Sequence, residues 1–259
     1  MFIPLYDSNH LRRIRHAYVT IGLIVLNVAV YLTTRLAGDD FAAGAALSYG
    51  FIPSIVHHTA ELSPQFVVIP ANLSYVTYSF LHADIFHLGG NMLFLWVFGD
   101  NVEDALGHVR YLIFYMASAV GGAFFHGWVA PGSEQPLIGA SGAIAGVVAA
   151  YLILYPRVKV WVLAFARIPL RIRAYIVLLL WILLQFVMFA MGGQDQISWA
   201  CHIGGIVTGA VLVVVLRSRG VPLLDDEDDE TATPVSTETG QVPPPPATET
   251  KPAPRWGRQ

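Results

Sequence analysis

Residues 141–155 read Ser-Gly-Ala-Ile-Ala-Gly-Val-Val-Ala-Ala-Tyr-Leu-Ile-Leu-Tyr, an uncharged run that opens on a serine and repeats small residues at Gly142, Gly146 and Ala150. A membrane-crossing helix needs roughly 20 mostly apolar residues, because each rises about 1.5 Å through a hydrocarbon core about 30 Å thick. The run is shorter than that. It can cross only if it starts below the membrane surface, which leaves its first residue, Ser141, in a recess rather than in bulk water.

Five more apolar stretches flank it, at 16–36, 86–102 and 111–129 before it and at 174–191 and 199–216 after it. The whole chain of 259 residues is 55% hydrophobic and 13% charged, whereas soluble domains carry about 25% charged residues. The reading is an all-α polytopic membrane protein, a six-transmembrane-helix bundle with a disordered C-terminal tail. Residues 1–15 precede the bundle, 16–219 form it, and 220–259 follow it.

Loop charge orients the bundle, since cytoplasmic loops collect Lys and Arg. Arg12, Arg13, Arg15, Arg110, Arg157, Lys159, Arg167, Arg171, Arg173, Arg217 and Arg219 all fall on one side of the six spans. The other side has Asp39, Asp40, Glu61, Asp84, Glu134 and Asp195, with Arg35 at the end of span one, where it can snorkel. Both termini are thereby expected in the cytoplasm. The first span is read as retained rather than as a cleaved signal, because its apolar core is long and no small-residue cleavage site follows at once.

The connection over residues 37–85 is long, and its apolar pieces suit a position partly in the interface. The tail, acidic at 225–230 and proline-rich at 242–246, cannot bury enough apolar surface to fold; it is a solvated spacer or a site for a cytoplasmic partner. A net charge of −3 without basic stripes gives no footprint for nucleic acid. Cys201 is the only cysteine, which rules out an intrachain disulfide and a cysteine-based metal cluster. No internal repeat suggests the duplicated halves of many transporters.

Polar side chains inside spans are costly and by default functional. His87 and Asn91, four apart, share one face of span two. Ser141 stands at a helix N-terminus, where unpaired N–H groups and the dipole favour the negative charge that develops when a carbonyl is attacked. His202 begins span six on the same side, and an imidazole of pKa about 6.5 suits general-base work. Gly142 and Gly146 on span four and Gly205 and Gly209 on span six form small-xxx-small faces that let backbones approach. With no Asp or Glu near His202 in the spans, the arrangement is a Ser-His dyad, and Asp84 and Asp195 read as solvated loop charges.

These residues resemble the rhomboid intramembrane serine proteases over residues 1–220. The resemblance rests on His82-Ala83-Asp84-Ile85-Phe86-His87-Leu88-Gly89-Gly90-Asn91, on Phe98-Gly99-Asp100-Asn101-Val102-Glu103-Asp104-Ala105-Leu106-Gly107, on Gly139-Ala140-Ser141-Gly142, and on His202 with Gly205 and Gly209. It implies a bacterial-type six-span core in the bacterial inner (plasma) membrane. Ser141 would be the nucleophile and His202 the base, with an oxyanion site of His87, Asn91 and the Ser141 N–H. It further implies that His82 lines the water-filled cavity and that Glu103 and Gly107 shape the end of span two. The chain departs from many relatives in lacking a Trp-Arg pair in the first long loop. It also has Ala145 where they carry an aromatic beneath the histidine, so another side chain must support the ring.

The expected activity is hydrolysis of peptide bonds in or near the membrane helix of single-span proteins, with the lipid bilayer as surroundings and neither cofactor nor metal. The rival from another class is a catalytically silent relative that binds membrane clients. A metalloprotease would need a His-Glu-x-x-His helix, but His82 and His87 are five apart. A channel or transporter leaves the Gly-Ala-Ser-Gly motif and its partner histidine without a purpose.

Overall fold

The structure, a computed structural model, describes residues 2–165, 167–192 and 198–225. Asp195 and nearly all of the tail lie outside the described residues. The described chain is mostly helical. Strand β1 (Phe2–Asp7) leads to α1 (Tyr18–Leu36), α2 (Asp39–Tyr49) and the single turns α3 (Pro53–Val56) and α4 (Ser74–Thr77). Then come α5 (Ile85–Leu106), α6 (His108–Val129), α7 (Ser141–Leu154), the strands β2 (Lys159–Ala164) and β3 (Ile168–Arg173), α8 (Ala174–Ala190) and α9 (Trp199–Leu216).

A helix stands at each of the six expected spans, with ends that agree within a few residues. By length and composition, α1, α6 and α9 are long and apolar enough to cross a membrane. Helix α5 is as long as α6 but carries Asp100, Glu103 and Asp104 near one end, and α7 and α8 are shorter. Helix α7 is central, with every residue from Gly142 to Tyr151 buried against its neighbours. Helix α8 is peripheral and buries only Ala174, Val177, Leu178 and Gln185.

The all-α expectation needs correction, because β1, β2 and β3 form an antiparallel sheet in that order. In the sequence, the basic residues of the connection between spans four and five speak to orientation and not to local structure. The first half of that connection alternates, with Val160, Val162 and Ala164 buried and Trp161 turned outward, which is the period of two that a half-buried strand requires. The sheet is anchored to the bundle by Asp7, whose Oδ2 accepts hydrogen bonds from Tyr151 Oη at 2.6 Å and Asn101 Nδ2 at 3.0 Å.

The acidic pair at the end of α5 fastens the entry to α1. Asp104 accepts the backbone N–H groups of Arg12, Arg13 and Ile14. Glu103, fully buried, accepts from the N–H groups of Val19 and Thr20 and from the Thr20 hydroxyl, and pairs with His108 Nδ1 at 2.5 Å. Val19 and Thr20 lie in the first turn of α1, where helical N–H groups have no partner in their own helix. Gly107, at φ +80°, turns the chain from α5 into α6, so both residues shape this end as the motif implies. Arg110 reaches the Leu216 carbonyl and the Ser218 hydroxyl at the same end, and Arg12 pairs with Asp225. The basic connections therefore cluster at one end of the bundle.

Candidate active site

The opposite end gathers the polar residues of α5, α7 and α9. Ser141 is half-buried at the first position of α7. The segment before it is fixed by backbone bonds: Phe51 and Leu137 exchange N–H···O bonds of 3.0 and 2.8 Å, and Gly139 N–H donates to the Tyr78 carbonyl at 2.9 Å. Gly139 has φ +124°, and a Cβ there would lie 2.6 Å from His87 Cε1 and 3.8 Å from Asn91 Nδ2. The turn into Ser141 is thus pressed against the two α5 side chains expected to face it.

Helices α7 and α9 meet backbone to backbone. A methyl group on Gly205 would overlap the Gly142 carbonyl, and one on Gly209 would overlap the backbone of Gly146. A Cβ on Gly142 would stand 2.6 Å from Cys201 Sγ. Cys201 and Gly205 bracket His202, so the contact sets His202 at the level of Ser141 on adjoining helices. At Gly142, Gly146, Gly205 and Gly209 the two backbones have no room for a side chain between them. Ser198 starts α9 by accepting the Cys201 N–H at 3.1 Å, and its hydroxyl meets His126 Nδ1 at 2.7 Å, tying this helix start to α6.

His202 is 8% exposed. Its ring lies nearly parallel to Trp181, with centroids 6.0 Å apart, and edge-on to Trp199 at 5.9 Å. Nδ1 is 2.7 Å from Gln185 Oε1, while Gln185 Nε2 donates to the Trp181 carbonyl at 2.8 Å. Trp181 takes the supporting place that Ala145 leaves open. Neither Trp181 nor Gln185 was among the residues anticipated, yet a signal existed: Gln185 is the only amide or charged side chain between Ala174 and Ala190, and such a residue in a span is a functional candidate.

On α5, Asp84 is an exposed N-cap whose Oδ1 accepts the N–H groups of Phe86 and His87 at 2.8 and 2.9 Å. Those bonds hold its carboxyl below the usual range. The reading of Asp84 as a loop charge missed this part, which fixes the turn that carries His87. Asn91 Nδ2 donates to His82 Nε2 at 3.0 Å, and the His82 ring meets His87 edge-on at 5.1 Å. Burial, with His87 beside it, brings the His82 pKa down to about 4. His82 is therefore neutral near pH 7, and it uses one amide proton of Asn91 while leaving the second for another acceptor. His82, expected as a cavity residue, has a definite structural partner in Asn91.

A family model described as Rhomboid domain matches residues 71–219, which include every side chain of this site. The chain belongs to the rhomboid family. It is an integral membrane protein of that family, 29% identical to "Rhomboid protein 1, mitochondrial" of Saccharomyces cerevisiae over 55% of this chain and 41% of that protein. It is 24% identical to "RHOMBOID-like protein 12, mitochondrial" of Arabidopsis thaliana over 77% of this chain and 58% of the relative. With "Rhomboid-type serine protease 2" of Emericella nidulans it shares 31% identity over 54% of this chain and 26% of the relative. The chain spans about half the length of the first two relatives. Their names are mitochondrial, and nothing in them supports the bacterial-type core and bacterial plasma membrane that the sequence suggested.

Proposed function

We propose that this rhomboid is an intramembrane serine endopeptidase that cuts single-span membrane proteins in or near their transmembrane helix. The observation that carries the reading is the Gly142–Gly205 contact, which sets Ser141, at a helix N-terminus, level with His202. Ser141 Oγ attacks the scissile carbonyl carbon as His202 Nε2 takes its proton. The oxyanion accepts hydrogen bonds from the Ser141 N–H, from the remaining Asn91 amide proton and from His87. The carbon–nitrogen bond then breaks, and His202 returns the proton to the leaving amine. Water attacks the acyl-enzyme with His202 again as base, releasing the acid and restoring Ser141.

All six helices cross the bilayer in this reading, and both termini lie on the basic side. In a bacterial plasma membrane that side is the cytoplasm. A substrate helix must unwind to expose its carbonyl, and unpaired backbone groups are costly in hydrocarbon. Substrates with Gly, Ala or Pro near the cut are favoured for that reason.

The test uses purified full-length protein and its Ser141→Ala variant, each incubated with a panel of single-span proteins and analysed by mass spectrometry. Wild type yields a defined cut that Ser141→Ala abolishes while substrate capture persists. Cleavage by Ser141→Ala refutes the proposal. Capture without cleavage by wild type assigns the chain to the silent, client-binding class.

A further inference from the structure

Gln185 can face His202 in only one way. Its Nε2 faces the Trp181 carbonyl, which can only accept, so its Oε1 must face His202 Nδ1. An amide oxygen can only accept as well. His202 Nδ1 therefore carries the ring proton, and the lone pair lies on Nε2. The amide is 2% exposed, so water does not compete for the bond.

We propose that Gln185 is a positioning residue that holds His202 in the tautomer whose Nε2 accepts the Ser141 proton, a third member of what sequence alone makes a dyad. The inference rests on the reading of His202 as general base. A carboxylate does this task in soluble serine proteases, where it also stabilises the imidazolium that forms. Inside a membrane protein, a buried charge is costly, and a neutral amide keeps the orienting bond without it. Trp181 completes the device by covering one ring face while its own carbonyl sets the direction of the amide.

The charged surroundings of His202 leave this assignment clear. The start of α5 and the residues just before it contribute the titratable rings of His87 and His82, which meet edge-on at 5.1 Å. His126 of α6 pairs with Ser198 and Cys201 of α9 with Tyr78. Helix α7 has no charged side chain, and α8 offers Gln185 and Trp181, neither of which titrates.

The test follows labelling of Ser141 in the purified full chain by a fluorophosphonate probe, from acid to alkaline pH. Gln185→Met keeps the length and loses the acceptor; its limiting labelling rate should fall at least about tenfold with probe affinity unchanged within about twofold. Gln185→Glu restores the acceptor and adds charge. It should label efficiently at high pH with an acid limb moved to higher pH, since a neighbouring anion favours the imidazolium, which cannot act as base. A Met variant with the wild-type rate overturns the inference. If that variant does not fold, a Glu variant with an unmoved acid limb overturns it. Ser141→Ala and His202→Ala are run beside them: labelling in either defeats the proposed dyad itself, a result distinct from failure at Gln185.

Discussion

Gly205 packs directly on the carbonyl of Gly142, with no space for a methyl group between them. The neighbours are backbone atoms of another helix, so relief requires α7 and α9 to separate.

Gly205→Ala should therefore destabilise the fold by about 1–3 kcal/mol or more, the usual cost of overfilling a packed interface. It should also remove activity at temperatures where the protein stays folded, because separation draws His202 away from Ser141. Thermal unfolding in detergent beside fluorophosphonate labelling would show both effects. Wild-type labelling in a folded Gly205→Ala protein contradicts the prediction.

Glycines in the other motifs divide sharply. Gly139→Ala meets a positive φ and a contact with His87, whereas a Cβ on Gly89 or Gly90 meets nothing within 4 Å. Gly139→Ala should lose most labelling. Gly90→Ala should retain it and gain about 0.5–1 kcal/mol from helix propensity. Comparable losses at the two positions would count against the packing described.

Glu103 satisfies two N–H groups, a hydroxyl and His108 from a fully buried position. Each buried donor left without a partner costs about 1–3 kcal/mol. Glu103→Ala should lower stability by at least about 2 kcal/mol in denaturant titrations, although it lies at the opposite end of the bundle from Ser141. A change below 0.5 kcal/mol, the ~0.5 kcal/mol scatter of surface substitutions, would contradict the role assigned to it.

His82 has a definite sign of pH dependence. Its folded pKa is about 4, below the ordinary value of about 6.5, so between the two the unfolded chain binds the proton more readily. Its stabilising contribution is complete above about pH 6.5 and is lost as pH falls towards 4, when Nε2 can no longer accept from Asn91. His82→Phe should flatten the stability profile in that window. A profile identical to wild type would show that the His82–Asn91 bond contributes nothing.

Asp84 behaves in the same direction at lower pH. Its depressed carboxyl pKa means that the α5 cap is intact above the usual Asp value of about 3.9 and is lost as pH falls through the lower folded value. Asp84→Ala should cost about 1 kcal/mol at neutral pH, and Asp84→Asn should recover much of it. Equal stability of all three proteins in thermal melts would reject the cap.

The helices were legible because apolar length and the placement of Arg and Lys act locally. The α7–α9 contact was legible because glycines at fourfold spacing leave few other outcomes. The sheet was not, since a strand of six residues is brief and its partner β1 lies far away in the sequence. Ser141, His202, His87 and Asn91 came from motifs, and the structure brings them to one end. Gln185 and Trp181 escaped because neither belongs to those motifs: their effect on His202 depends on the rotation of α8, which no short-range pattern encodes. Asp84 was read by its charge alone, when its position just before Ile85 already marked an N-cap.

The sheet constrains the order in which the protein is assembled. Asp7 and Tyr151, joined through a single hydrogen bond, stand 144 positions apart in the chain, and β1 takes its register from β2. A ribosome that has made β1 must go on to deliver the four bundle helices α1, α5, α6 and α7 before a partner strand exists. Strand β1 is thus made well before the strand that pairs with it, and it can close the basic end of the bundle only once α7 and β2 are in place.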